Sequence, residues 1–236
     1  MRVILFGGSG MVGQGVLREC LLDPGVESIL SVGRSLTGST HAKLRELQRS
    51  NLSDFADIEP ELRGYDACFF CLGVSSFRMK EAQYRRITYD ITLAAARTLA
   101  KLNPAMTFIY VSGAGTDSSE SGRSMWARVK GQTENALLQL PFHAYIFRPA
   151  AIVPLHGIQS RTKIYRLPYA IMAPILPWLY ARFPKYVTTT EHLGHAMIKI
   201  AKTGVQSGCS RTSISTSFDD TVALPHPSTC PHHAPG

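Results

Sequence analysis

The sequence predicts an α/β fold in which a parallel, doubly wound sheet is covered by helices on both faces. Three observations carry this expectation. Strand-like apolar runs alternate with helix-like stretches through the first part of the chain. These runs are apolar at nearly every position, as strands buried on both faces must be, rather than at every second one. A glycine-rich turn joins the first strand to the first helix.

The first strand covers 2–6 and is carried by Val3-Ile4-Leu5-Phe6. Gly7-Gly8-Ser9-Gly10-Met11-Val12-Gly13 follows at once and leads into a helix over 12–22. Strand, tight turn and helix start, in that order, suit the pyrophosphate of a dinucleotide. Gly7 lets the chain leave the strand, Gly10 lets backbone approach phosphate without a Cβ in the way, and Gly13 brings helix against strand. The free N–H groups of the helix start then face the anion. Gly7, Ser9, Gly10, Met11, Val12 and Gly13 are therefore candidate cofactor contacts in a Rossmann-type site. The turn holds no lysine and no Gly-Lys-Ser/Thr ending follows, which argues against a nucleoside-triphosphatase loop.

A second strand over 27–32 runs into Val32-Gly33-Arg34-Ser35. A site for the non-phosphorylated cofactor usually places an acid here, on the ribose hydroxyls. Arg34 and Ser35 stand there instead and can hold a 2′-phosphate through charge-assisted hydrogen bonds, so NADP is the expected cofactor. Strands over 44–48 and 66–71 follow, the latter ending Cys71-Leu72-Gly73-Val74-Ser75. Cys71, Leu72 and Gly73 join the candidate cofactor set, since a glycine there lets backbone pass beneath the adenine-side ribose; Ser75 and Ser76 are within reach of a phosphate or substrate oxygen. Cys68 and Cys71 form a Cys-x-x-Cys, yet strand alternation points them to opposite faces, as small apolar side chains.

A helix over 80–101, a strand over 106–112, a helix over 125–139 and a strand over 143–148 complete the alternation. The fifth strand ends Tyr110-Val111-Ser112-Gly113-Ala114-Gly115, and Trp126-Ala127-Arg128-Val129-Lys130-Gly131 opens the next helix. Together with the glycine turn and Phe147-Arg148-Pro149, this resembles the short-chain dehydrogenase/reductase superfamily, in its extended and atypical branch of nucleotide-sugar-epimerase-like and NmrA-like NAD(P)-binding proteins, over about residues 1–200. The resemblance implies an NAD(P)-binding Rossmann fold. It also implies a serine and a tyrosine bracketing the substrate oxygen, and a lysine four residues after the tyrosine that holds the nicotinamide ribose and lowers the phenol's pKa. Ser112 and Lys130 match. Trp126 stands where the tyrosine is expected, and an indole N–H donates a hydrogen bond but does not exchange a proton near neutral pH. Ser112, Lys130 and Trp126 are the candidate catalytic positions. The proton would then come from water, from Lys130 itself or from elsewhere, with Tyr89, Tyr165 and Tyr169 as the phenols to place.

From about residue 154 the rhythm changes. Residues 160–183 mix Arg161, Lys163, Arg166 and Arg182 with Tyr165, Tyr169, Trp178 and Tyr180, and 188–203 reads as a threonine-opened helix with Glu191 in its first turn. A small C-terminal helical cap over about 154–203 is expected, within one NAD(P)-binding domain spanning 1–203. The apolar run 167–181 is too short and too interrupted by Pro168, Pro174 and Pro177 for a transmembrane segment. The tail over 204–236 is rich in Ser, Thr, Pro and His and reads as disordered. No metal site is expected: His226, His232 and His233 lack fixed geometry, and the cysteines lack ligand spacing.

A net charge of +8 on 236 residues comes from scattered Lys and Arg rather than a basic helix, so nucleic acid is not an expected partner. The five irregularly spaced cysteines suit a reducing compartment, and a first strand starting at residue 2 leaves no room for a signal peptide; the expected location is cytoplasmic. The resulting expectation is an NADP(H)-dependent oxidoreductase or epimerase-like protein acting on an unidentified small carbonyl or hydroxyl substrate. The alternative is a non-catalytic NADP(H)-binding sensor or regulatory protein with a protein partner. The resemblance also allows a homodimer through the helices near 80–101 and 125–139.

Overall fold

In the computed structural model, residues 1–158, 187–207 and 213–215 are described. The apolar runs form β1 (Arg2–Phe6), β2 (Ser28–Gly33), β3 (Leu44–Gln48), β4 (Ala67–Phe70), β5 (Thr107–Val111) and β6 (His143–Phe147), each within a residue or two of expectation. Every pairing among them is parallel, and the order across the sheet is β3-β2-β1-β4-β5-β6. The order reverses between β1 and β4, which opens a crevice at the carboxyl edge where a doubly wound sheet takes its ligand. Residues Ser213–Ser215 add a short parallel strand, β9, beside β6.

One face of the sheet is covered by α1 (Met11–Leu22) and α5 (Thr190–Ser207). Their core joins Val3, Leu5, Val16, Leu17, Cys20, Phe69, Ile109, Leu193, Met197 and Ala201. Full burial of each larger aliphatic or aromatic side chain contributes roughly 1.5–3 kcal/mol before conformational entropy is counted. The two helices approach so closely that a Cβ on Gly15 would lie 2.4 Å from the Thr190 Cβ. Lys202 closes the far end, its Nζ donating to both Asp23 carboxylate oxygens at 2.7 and 2.8 Å.

The opposite face is covered by a 3-10 helix (Ala56–Leu62), by α3 (Ile91–Leu102) and by α4 (Met125–Leu138). Phe6, Phe70, Phe108 and Phe142 form a row of stacked rings beneath them. The helix expected over 80–101 is interrupted: α2 (Glu81–Arg85) passes through a π-helical segment (Arg86–Asp90) before α3 begins. The Thr92 hydroxyl bonds back to the Thr88 carbonyl at 2.6 Å within this stretch. Cys68 and Cys71 pack on opposite faces, and burial pushes both thiols up, so neither is a thiolate nucleophile.

Two short strands lie outside the main sheet. β7 (Ala151–Val153) pairs in parallel with β8 (Val187–Thr189). The threonine stretch expected to open the last helix is thus split: Thr188 lies in β8, and Thr189 caps α5 by accepting the His192 N–H on its Oγ1 at 3.0 Å. The helix continues to Ser207, past the expected start of the tail at 204. Residues 160–183 and the histidines of the tail lie outside the described residues. Among the described residues, no helix is long and apolar enough to cross a membrane.

Candidate functional site

The exits of β1, β2 and β4 meet at the carboxyl edge. Gly7 leaves β1 with φ +79°, and a Cβ there would sit 2.7 Å from the Leu72 backbone nitrogen. The glycine turn is therefore pressed against the β4 exit, bringing Gly7 to Cys71 and Leu72. Gly13 supplies the second close approach: a Cβ on it would lie 2.1 Å from the Gly7 carbonyl oxygen. This contact lets α1 start directly over the turn. Gly10 stands at the N-cap without a side-chain cap bond, and the Gln14 side chain donates to the Ser9 carbonyl at 2.9 Å. Met11 and Val12 are half-buried in the first helical turn.

Arg34 and Ser35 follow β2 on the other side of the turn and are both exposed. Among the described residues Arg34 has no ion-pair partner, and its carbonyl accepts a bond from Gln48 at 3.1 Å. The loop after them is pinned where Thr37 N–H donates to Glu46 at 2.7 Å. Gly73 is exposed, with open space on its Cβ side.

The second half of the site lies over β5 and α4. Ser112 follows β5 and is 9% exposed, its hydroxyl 3.1 Å from that of Thr116, which in turn donates to the Gly113 carbonyl. Tyr110 is two residues earlier on the same strand, so Ser112 extends the face that carries the Tyr110 ring. The Lys130 ammonium stands 5.5 Å from the centre of that ring. Desolvation by burial pushes the Lys130 pKa down to about 8, with the Glu134 carboxylate acting weakly the other way. Tyr110 cannot replace the missing phenol, because burial drives it well above its ordinary range. Tyr89 lies on the π-helical segment beneath the Arg85 guanidinium, 4.1 Å above its ring. Tyr165 and Tyr169 lie outside the described residues.

Trp126 is half-buried on the first turn of α4, its ring 3.4 Å from where a Cβ on Gly115 would stand. It packs beneath the loop that leaves β5. Asp117 shapes that loop by accepting bonds from Ser119 and, at 2.6 Å, from the Gly122 N–H.

Glu134 and Arg148 are the structural partners that sequence spacing did not reveal together. Glu134 is completely buried on α4, and its carboxylate receives Arg148 Nε at 3.2 and 3.1 Å as well as a close Arg148 Nη2 contact. Arg148 also donates to Ser118 Oγ at 2.5 Å. This ties the end of β6 both to α4 and to the loop after Ser112. The available signal was positional: Glu134 stands one turn after Lys130, on the same helix face.

No family model matches the chain. Among curated proteins it is similar to Protein FMP52-1, mitochondrial, of Scheffersomyces stipitis, 28% identical over 156 residues, which are 65% of this chain and 68% of that protein. Similarity to Protein FMP52, mitochondrial, of Candida albicans is 23% over 232 residues, covering 95% of this chain and 98% of that one. Among solved structures it is similar to a UDP-N-acetylglucosamine 4-epimerase from Methanobrevibacter ruminantium M1, with a TM-score of 0.64 and 16% identity, covering 85% of this chain and 73% of the other. The enzyme WbmF of Bordetella bronchiseptica, solved in complex with NAD+, gives a TM-score of 0.61 at 17% identity, over 85% of this chain and 69% of the other. These likenesses show a shared fold, the doubly wound α/β arrangement of the Rossmann type. The cytoplasmic expectation is corrected by the curated relatives, which are named as mitochondrial proteins. Among the described residues Cys20, Cys68 and Cys71 are free thiols, which distinguishes no compartment from another.

Proposed function

We propose that this extended short-chain dehydrogenase/reductase fold binds NADP(H) across its β1–β4 crevice and serves an oxidoreductase or epimerase-like reaction on a small carbonyl or hydroxyl compound. The observation that carries the reading is Lys130 on α4, its ammonium 5.5 Å from the centre of the Tyr110 ring near the carboxyl end of β5, with burial pushing its pKa down to about 8. The turn of Gly7, Gly10 and Gly13 and the open start of α1 would hold the pyrophosphate. Arg34 and Ser35 would hold a 2′-phosphate. The cofactor supplies hydride chemistry when bound.

In this reading Ser112 donates a hydrogen bond to the substrate oxygen. Lys130, held near pH 8, gives that oxygen its proton in reduction or takes it in oxidation, the task an indole at 126 cannot perform. Trp126 offers a flat wall instead.

Trp126 also favours a second reading, a binding protein that senses NADP(H) without turning it over. Both readings require the dinucleotide, and only the first requires hydride transfer. Calorimetric titration with NADPH and NADH, before and after Arg34→Ala, tests the shared premise. NADPH is expected to bind more tightly than NADH and to lose roughly tenfold in the variant, while NADH binding holds, because only the 2′-phosphate loses its charge-assisted partner. Absence of any dinucleotide binding would end both readings. Oxidation of NADPH by a panel of aldehydes and ketones, followed by nicotinamide absorbance, then separates enzyme from sensor.

A further inference from the structure

On the flank of α1, away from the glycine turn, three distant parts of the chain bring together carboxylates and imidazoles. Glu19 comes from α1, His156 from the turn after β7, and Glu191 from the first turn of α5. One ligand atom from each lies within 4.8 Å of the others. His156 Nε2 is 2.6 Å from Glu191 Oε2, and His195 Nε2, one turn along α5, is 2.9 Å from Glu19 Oε2. Glu19 is only 3% exposed, whereas His156 and His195 face solvent.

We infer that Glu19, His156 and Glu191 form a binding site for a divalent first-row transition ion, with His195 orienting Glu19 or joining as a further ligand. Two carboxylates and an imidazole match the donor set such ions take, and tetrahedral ligand atoms stand about 3.4 Å apart, within a small side-chain adjustment of those here. Ligating carboxylates are usually held by hydrogen bonds from an outer shell, the place His195 takes toward Glu19. Arg18 also touches Glu19, its Nη1 2.5 Å from Oε1. Each carboxylate oxygen has two lone pairs, so this bond leaves Glu19 able to ligate. The Arg18 charge opposes the ion, but the two carboxylates exceed it by one negative charge when the imidazoles are neutral. Solvent exposure of His156 gives the ion a path in, and the remaining coordination positions fall to water. The site is independent of the dinucleotide reading: the ion would tie α1, the loop after β7 and α5 together whether or not the protein turns over a substrate.

The same residues could serve only as ion pairs between α1 and α5, and zinc titration of the full chain separates the two. Calorimetry is expected to show one site for Zn2+ that weakens at least tenfold in both His156→Gln and Glu191→Gln, and that tightens in Arg18→Gln. Zn2+ should raise the melting temperature of the parent and leave the first two variants nearly unmoved. Co2+ in place of zinc should give visible d–d absorption without a thiolate charge-transfer band, and Mg2+ should not compete, because imidazole selects against it. Absence of Zn2+ binding, affinity unchanged in the two variants, effective competition by Mg2+, or a thiolate band from cysteine ligation would each overturn the site. Both ligand variants lie at solvent-accessible side chains, so folding can be verified by circular dichroism before titration.

Discussion

Arg148→Ala is expected to destabilise the protein by about 3–5 kcal/mol, the range for removing one partner of a buried ion pair. The guanidinium is the charge that compensates Glu134, which has no solvent exposure at all. Without it, the buried carboxylate loses its direct ion-pair partner, and Lys130, one turn earlier on α4, is too weakly coupled to replace it. The loss reaches beyond stability, because Arg148 also holds Ser118 and with it the loop that follows Ser112. Urea denaturation of the variant measures the cost. The double variant Glu134→Leu/Arg148→Met should recover most of it, since well-packed apolar residues often replace a buried pair at little cost. A single Arg148→Ala that unfolds at the parent's urea midpoint would show that the pair contributes nothing.

Lys130→Met should do two opposite things. Hydride transfer, where a substrate is found, should fall by roughly 10²–10⁴-fold, the range for loss of a positioned proton-transfer group. Stability should rise. The folded pKa of about 8 lies below the ordinary 10.5, so the fold penalises the charged form. The unfolded chain therefore binds the proton more tightly, and the full penalty is present below pH 8. It is relieved as pH rises from about 8 toward 10.5. Methionine keeps the stem's packing over Tyr110 and removes the penalty, for an expected gain of roughly 1–3 kcal/mol near neutral pH that shrinks across the same window. Melting curves of parent and variant between pH 6.5 and pH 10 test this directly (about half a unit per step). The reduction rate of the parent should likewise fall above about pH 8, where Lys130 loses the proton it would donate. A variant less stable than the parent at neutral pH would mean that Lys130 is a structural cation rather than a strained one.

The strands of the main sheet were legible because burial on both faces leaves an unbroken apolar signature, as in Val3-Ile4-Leu5-Phe6 and Ala67-Cys68-Phe69-Phe70. The glycine turn was legible because Gly7 and Gly13 stand where any Cβ would collide with backbone. β7 and β8 were not: three residues each, separated by more than thirty positions and ending in ordinary Val and Thr, they carry no periodicity to read. The role of Glu134 left no mark in the local pattern, since its partner Arg148 arrives from the end of β6. The Glu19, His156 and Glu191 grouping escaped for the same reason, with its members contributed by three segments remote in the chain. Local pattern reports what neighbours along the chain must do; it is silent where a side chain's environment is assembled by topology.

The pairing of α1 with α5 has a consequence for how the molecule is made. Lys202 and Asp23, which close that helix pair, are 179 positions apart. As the chain leaves the ribosome, β1, α1, β2 and β4 can assemble early, but α1 alone covers only part of its side of the young sheet, and the apolar surface that Leu193, Met197 and Ala201 will bury beside Val16, Leu17 and Cys20 waits open until residues beyond 190 emerge. Such long-range closure is slow, and an open apolar sheet face is where partly made chains adhere to one another. Synthesis arrested before α5 should therefore give a sticky, chaperone-bound intermediate, and completion of the last helix should mark its release.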